Sequence, residues 1–262
     1  MTRPLTDIVF IGAGNVATHL CLILAEQYRI RQVFSRTERS AKELADSVGA
    51  RWTADPGALD YSAGAYFFCL PDDRLQPVLN LLNFNDQLLI HTSGSVPMDI
   101  FRGHSSNYGV VYPVQTFSKD RPVNLELVPV CIEANTGYNE EILRDLAGNI
   151  SRDIQVTGSE KRKIIHIAAV IACNFTNHMY AEAARLLADN QLDFELLKPL
   201  ILETAQKVMD MQPGDAQTGP ARRNDQKVME EHINTLRDSP ELQKLYSFVS
   251  RSISESDHDP GE

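Results

Sequence analysis

The chain has 262 residues, 43% of them hydrophobic, enough for one large domain or two modest ones around a sizeable core. Its formal net charge is −10, and without a broad basic surface to displace counterions from phosphates it is not a non-specific nucleic-acid binder, so any anion site must be local. Cys21, Cys69, Cys131 and Cys173 lie far apart in apolar stretches, which excludes a paired redox or metal motif and reads as buried, reduced thiols.

The opening MTRPLTDIVF runs straight into a strand pattern without the charged, apolar and small-residue regions of a signal peptide, so a cytoplasmic protein is expected. No apolar run approaches the ~20 residues of a membrane helix, and no membrane partner is expected. From 7 to 158, short β-rich runs alternate with helix-like segments, the pattern of a mostly parallel sheet covered by helices. The predicted strands are 8–11, 32–35, 65–70, 88–91, 109–112, 128–133 and 154–156, and 39–48 is the clearest helix.

After Gly158 the strand signals stop and three or four helices follow. Thr157 and Glu160 have capping-box spacing for the first. Its middle, 164–173, is apolar nearly all round except at His166, so burial is expected within a helical domain, with a second subunit contributing; a homodimer follows. A second helix follows Asp193 and carries Pro199 at a kink or in its first turns. A third covers 225–236, and Ser239 with Pro240 opens a fourth. The polar, acidic end, SESDHDPGE, lacks periodicity and is expected to be unstructured. The expected division is a dinucleotide-binding domain over 1–158, a helical substrate and dimerisation domain over 159–250, and a tail over 251–262, with no internal repeat.

The segment DIVFIGAGNVATHLCLILA places Gly12, Gly14 and Ala17 as G-x-G-x-x-A between a strand and a helix. Gly12 permits the tight turn, Gly14 lets the backbone approach a pyrophosphate, and Ala17 allows close helix packing. Asn15 and Val16 then supply free N–H groups at the positive end of the helix dipole. A structural turn is the alternative, but at the first strand–helix junction of an alternating chain the dinucleotide reading prevails.

An NAD-binding chain usually ends its second strand on an acidic residue that holds the ribose 2′-hydroxyl. Here Ser35, Arg36 and Thr37 offer two hydroxyls and a guanidinium instead, chemistry suited to a 2′-phosphate, with Arg39 and Lys42 adding positive charge. The expected cofactor is NADP(H); the alternative for these residues is a solvated basic helix start. Leu70 and Pro71 follow a later strand, as do His91, Thr92 and Ser93, and both loops should border the nicotinamide. No tyrosine has lysine four residues later, which excludes a short-chain dehydrogenase. The missing acid disfavours a flavin domain, and the missing Cys and His ligands disfavour a zinc dehydrogenase; no metal site is expected.

On the first C-terminal helix, His166, Val170, Asn174 and Asn177 share one side at a 3.6-residue period. A polar stripe on an apolar helix needs hydrogen-bond partners, in a cleft, a core network or a dimer contact. For His166 with Asn174 the cleft is the preferred reading. Arg223, in TGPARRND, is either an anion anchor or a structural ion-pair partner, and Asp225 an N-cap.

Together HTSGSVP, YPVQTF, IHIAAVIACNFTNHMY and TGPARRND resemble the two-domain Rossmann-like proteins whose helical C-terminal half is a domain of unknown function, over about 7–236. These are similar in turn to the 6-phosphogluconate dehydrogenase, ketopantoate reductase and pyrroline-5-carboxylate reductase group. The resemblance implies an α/β fold, with an N-terminal NAD(P)-binding Rossmann domain and an all-α C-terminal domain of the 6-phosphogluconate dehydrogenase type. It also implies reduction of C=O or C=N bonds with NADP(H), the substrate held between domains. The family pattern falls on Gly12, Gly14, Ser93, Gly94, Pro113, Gln115, Thr116, Phe117, His166, Asn174, Thr218, Gly219, Pro220, Arg223, Asp225 and His232. Tyr112 stands where the family has histidine, and Asn224 where it has glycine.

The expected function is NADP(H)-dependent hydride transfer to or from a small polar carbonyl, imine or hydroxy compound. His166 is the expected proton donor or acceptor, with Asn174 orienting the reacting group, Ser93 assisting, and Gln115, Thr116, Asn177 and Arg223 holding substrate. The alternatives are a non-catalytic NADP(H)-binding redox sensor acting through its dimer interface, and a purely structural dimer.

Overall fold

The computed structural model describes residues 5–256, and the chain divides into two compact units, Met1–Phe175 and Thr176–Glu262. The first is built on eight strands: β1 Asp7–Ile11, β2 Arg29–Phe34, β3 Arg51–Thr53, β4 Ala65–Phe68, β5 Leu88–His91, β6 Asn107–Pro113, β7 Val130–Ala134 and β8 Ile154–Val156. Its helices are α1 Asn15–Leu24, α2 Glu38–Ser47, α3 Asp72–Leu79, α4 Gly137–Gly148 and α5 Ser159–Ala169, the last followed by a π-helical turn, Val170–Phe175.

Strand alternation sorts the core into two layers. Ile8 and Phe10 of β1 join Leu20, Leu44 and Leu143 of the helices on one face, while Val9 and Ile11 join Leu75 and Leu79 of α3 on the other. A sheet buried on both faces reads as continuous apolar strands, as AYFF and LLIH do in β4 and β5. The strand order is β3-β2-β1-β4-β5-β6-β7-β8, parallel except where β7 runs antiparallel to β6. Successive connections leave β1 in opposite directions, toward β2 and toward β4, so the carboxyl ends of β1 and β4 form the switch point where ligands of such sheets bind.

Helix α5 starts differently from the sequence expectation. Its N-cap is Gly158, with no side-chain cap, and the Ser159 N–H donates instead to Glu133 Oε1 on β7 at 2.9 Å. A carboxylate from a neighbouring strand thus does what the Thr157 and Glu160 pair was expected to do. The compact units divide at 175/176, and α5 stays with the first, where Arg162 buries its side chain between β7 and the loop after β5.

The second unit contains α6 Thr176–Asp189, α7 Lys198–Asp210, α8 Pro213–Ala216, α9 Gln226–Thr235 and α10 Pro240–Ser256. Asp225 caps α9 by accepting from the Val228 N–H at 3.3 Å, and Pro199 falls in the first turn of α7, where its missing N–H costs nothing. Helix α10 runs on to Ser256, so 251–256 are helical rather than part of an unstructured tail; 257–262 lie outside the described residues. Among the described residues no helix is long and apolar enough to cross a membrane.

The apolar stretch 164–173 is not buried in this chain: Ile164 is 66% exposed, Ile167 46% and Ile171 56%. Cys173 is exposed as well, unlike Cys21, Cys69 and Cys131, which corrects the expectation of four buried thiols.

Candidate functional site

At the end of β1 the chain turns on Gly12, whose φ of +109° is a left-handed value that favours glycine. A Cβ there would collide with the Cys69 carbonyl oxygen. The Gly12 N–H donates to the Phe34 carbonyl at 2.8 Å, tying the turn to β2. Gly14 is the N-cap of α1, and a Cβ built on it meets no atom within 4 Å. Packing within the protein therefore does not require glycine at 14, and the open space leaves room for a ligand to approach its backbone. The first N–H groups of α1, at Asn15, Val16 and Ala17, have no intrahelical acceptor and present a positive helix end at this open position. The residues fit a dinucleotide pyrophosphate.

The Asn15 side chain is turned to a different task. Its Nδ2 donates to the Phe117 carbonyl at 2.9 Å, His19 Nε2 meets the Ser118 carbonyl at 3.0 Å, and the His19 and Phe117 rings pack at 5.0 Å. The segment after β6 is thereby tied to the phosphate-binding turn. Beyond β2, Arg36 and Thr37 are exposed and Ser35 is half-buried. Among the described residues no acidic side chain pairs with Arg36, whereas Arg39 pairs with Glu43 at 2.7 Å.

A cleft of about 370 Å³ opens beside this turn within the first unit. Gly14, Asn15, Val16, Leu70, Pro71, Thr92, Ser93 and Gln115 line it, with Tyr112 and His166. His166 is brought here by close packing: a Cβ on Gly94 would lie 2.6 Å from the His166 Cγ and 2.7 Å from its Nδ1. The imidazole occupies the space that any side chain at 94 would take. Its Nδ1 is 3.0 Å from the Tyr112 hydroxyl, and the rings meet edge to face at 5.8 Å. Tyr112 is 8% exposed, and burial pushes its phenol up to about 12, so it stays protonated. Tyr112, which stands where the family has histidine, is the direct partner of His166. Its place at the end of β6, a strand carboxyl end of the same sheet, was the available signal.

His91 is corrected. It is fully buried and does not line the cleft, so its side chain touches no ligand there. Burial, reinforced by the Arg162 charge, lowers its pKa to about 3, and the neutral ring accepts the Ser93 N–H at Nδ1, 3.2 Å away. Its Nε2 lies near the Pro97 carbonyl without a well-formed hydrogen bond. Ser93 is likewise engaged: its Oγ accepts the N–H groups of Ser95 at 3.1 Å and Val96 at 3.0 Å, shaping the loop while its own proton stays available.

Beneath the loop, Arg162 pairs with Glu133 and donates to the Val96 carbonyl at 2.6 Å. Since Arg162 and His166 are one helical turn apart, this pair fixes the face of α5 that carries the imidazole.

Asn174 is not brought to this site. It lies in the π-helical turn, exposed, because i→i+5 bonding widens the turn and breaks the register that would align it with His166. Thr116 is exposed and outside the cleft; its N–H is held by the Gln115 side chain at 2.7 Å. Asn177 and Arg223 belong to the second unit, where both are exposed. The loop before α9 has Asn224 at φ +51°, a left-handed conformation that asparagine tolerates in place of the family's glycine.

Residues 7–94 match the family described as NADP oxidoreductase, coenzyme F420-dependent, and residues 128–253 match a domain of unknown function, DUF2520. No curated protein matches the chain. Among solved structures, a candidate NADP oxidoreductase from Bacteroides fragilis is 45% identical, with a TM-score of 0.90 over 95% of this chain and 98% of that one. A Thermotoga maritima protein is 25% identical, with a TM-score of 0.70 over 96% and 99%. A pyrroline-5-carboxylate reductase from Streptococcus pyogenes, at 12% identity and a TM-score of 0.60 over 95% and 98%, shares the fold. The chain belongs to the family that joins an NADP(H)-binding Rossmann domain of the oxidoreductase type to a C-terminal DUF2520 domain.

Proposed function

We propose that this protein is an NADP(H)-dependent reductase or dehydrogenase of a small polar carbonyl, imine or hydroxy compound, with His166 exchanging the proton. The observation that carries the reading is the seating of His166 on Gly94, in a cleft that runs to the phosphate-binding turn. When bound, the nicotinamide supplies or accepts hydride. The N–H groups of Asn15 and Val16 bind the pyrophosphate, and Arg36 with the Ser35 and Thr37 hydroxyls holds the 2′-phosphate. Leu70, Pro71 and Thr92 border the nicotinamide pocket. His166 meets the substrate heteroatom and Gln115 orients it, while Ser93 sets the loop between them. Asn177 and Arg223 remain proposed substrate contacts on their residue chemistry alone.

NADPH consumption against a panel of carbonyl acids and imines tests the reading. In an active pair, His166→Gln retains cofactor affinity and loses roughly 10²-fold in turnover, the scale of general acid–base catalysis. Undiminished turnover in that variant overturns the assignment. The second reading is an NADP(H)-binding sensor that acts through a homodimer interface; it is favoured by the exposed apolar stripe Ile164, Ile167 and Ile171. It predicts cofactor binding without turnover, and an oligomeric state that changes with cofactor redox state. In both readings the protein is a cytoplasmic homodimer.

A further inference from the structure

His166 has two ring nitrogens, and a neutral imidazole carries its proton on only one of them. Which one decides what the ring offers a ligand. The Tyr112 hydroxyl is 3.0 Å from Nδ1, close enough for either atom to donate. The surroundings decide between the two directions. Tyr112 lies buried at the end of β6, and among the described residues its hydroxyl has no hydrogen-bond partner other than His166. If Nδ1–H donated to the phenol oxygen, the phenol hydrogen would need a second acceptor, and among the described residues none is found. With the phenol donating to Nδ1, both groups are satisfied by one bond.

The charged and titratable groups around the pair agree with this direction. Arg162, one turn earlier on α5, is buried and paired with Glu133. Cys131 on β7 raises the pKa of Tyr112 and Arg162 lowers it, but burial dominates and the phenol keeps its proton. Asp72, at the start of α3, lines the same cleft and also raises the pKa of the phenol. Gly94 packs directly against the ring, which fills the space a Cβ at 94 would take.

From this geometry we infer that Tyr112 is a positioning residue: its hydroxyl donates to His166 Nδ1 and fixes the neutral ring as the Nε2–H tautomer, presenting a hydrogen-bond donor to the cleft. The inference rests on the proposed role of His166 but concerns the resting protein, so it is testable without a substrate. It also narrows the ligand chemistry. In the neutral state the ring offers a donor and no acceptor, which suits a substrate carbonyl oxygen or imine nitrogen, whereas an alcohol or amine to be deprotonated would require Nε2 unprotonated. The ligand class favoured in the resting state is therefore a hydrogen-bond acceptor.

The test is long-range ¹H–¹⁵N correlation of the full chain labelled at histidine, at a pH where His166 is neutral, with its signal assigned by its loss in His166→Gln. The expected result is a protonated Nε2 and an unprotonated Nδ1 in the unmodified protein. In Tyr112→Phe, confirmed as folded by its amide spectrum, both tautomers are expected. An Nδ1–H tautomer in the unmodified protein overturns the inference, and so does a pure Nε2–H tautomer in the variant. If Tyr112→Phe does not fold, the unmodified protein alone still decides the donor direction. A confirmed tautomer with no turnover on any substrate would leave this inference standing and remove the reductase reading, so the two can fail separately.

Discussion

Single side chains set both ends of the candidate site, and their legibility in the sequence differed. Arg36 could be proposed from the sequence because the second strand of a Rossmann domain ends at a known distance from the glycines, and the structure leaves it exposed there. Arg36→Ala should remove most of the preference for NADPH over NADH, on the order of 1.5 to 3 kcal/mol for a charge-assisted hydrogen bond. Isothermal titration with both cofactors measures it, and equal affinities in the unmodified protein would exclude the role. Tyr112 was not readable in this way, because its partner is 54 residues away in sequence and only the packing of α5 against the loop after β5 brings them together. Gly94 was visible as part of a motif but not as the seat of an imidazole. Gly94→Ala should push His166 out of place or force the loop to yield, at a cost of about 1 to 3 kcal/mol for overpacking. Thermal unfolding, together with the histidine NMR signal, checks this; an unmoved His166 signal and an unchanged midpoint would show that the seat is slack.

At the scale of elements, the alternating first half was readable because buried parallel strands are apolar runs bounded by turns. The predicted 88–91 and 154–156 coincide with β5 and β8. Strand β3 was missed, since RWT is a three-residue edge strand with two exposed positions and leaves no apolar run. The π-helical turn was also invisible: a 3.6-residue period is assumed when a stripe is read, and nothing in VIACNF marks the wider turn. The ion pair that sets α5, Arg162 with Glu133, joins residues 29 positions apart, and local spacing gave no hint of it. Glu133→Gln should cost about 3 to 5 kcal/mol in urea unfolding, because Arg162, 1% exposed, is left as an unpaired buried charge. The neighbouring His91 gives this region a pH signature. Its folded pKa, about 3, lies below its ordinary value of 6.5, so below that value the unfolded chain binds a proton that the folded chain refuses. Its contribution to stability is complete above pH 6.5 and is lost as pH falls from there to about 3, at about 1.4 kcal/mol per pH unit. His91→Asn keeps an acceptor for the Ser93 N–H and removes the titration. Its loss of stability between pH 7 and pH 5 should be smaller than that of the unmodified protein by about 2 kcal/mol. Parallel acid limbs for the two proteins would show that His91 titrates normally.

The whole molecule presents more apolar helix surface than one chain covers. Ile164, Ile167, Ile171 and Phe175, spaced three, four and four residues apart, are all at least 46% exposed along α5 and the turn after it. In the second unit, Leu196, Leu200, Met209 and Phe248 are more than 60% exposed, while its buried hydrophobic residues are Ala221, Met229 and Leu236. Each large aliphatic side chain left in water forgoes roughly 1.5 to 3 kcal/mol of burial, and we expect a face of this size to be covered by a partner. The net charge of −10 opposes self-association, and attraction must come from apolar contact. The expected outcome is a homodimer in sedimentation at micromolar concentration, persisting at high salt because its contacts are not ionic. Ile167→Glu combined with Ile171→Glu should yield a folded monomer, since both positions are solvent-exposed within the chain and a carboxylate there costs the isolated fold little. A charge placed in an apolar interface, by contrast, carries a desolvation penalty large enough to abolish association. Helical content by circular dichroism should stay unchanged in that variant. A stable monomer in the unmodified protein, or a dimer indifferent to both glutamates, would move the interface away from this helix.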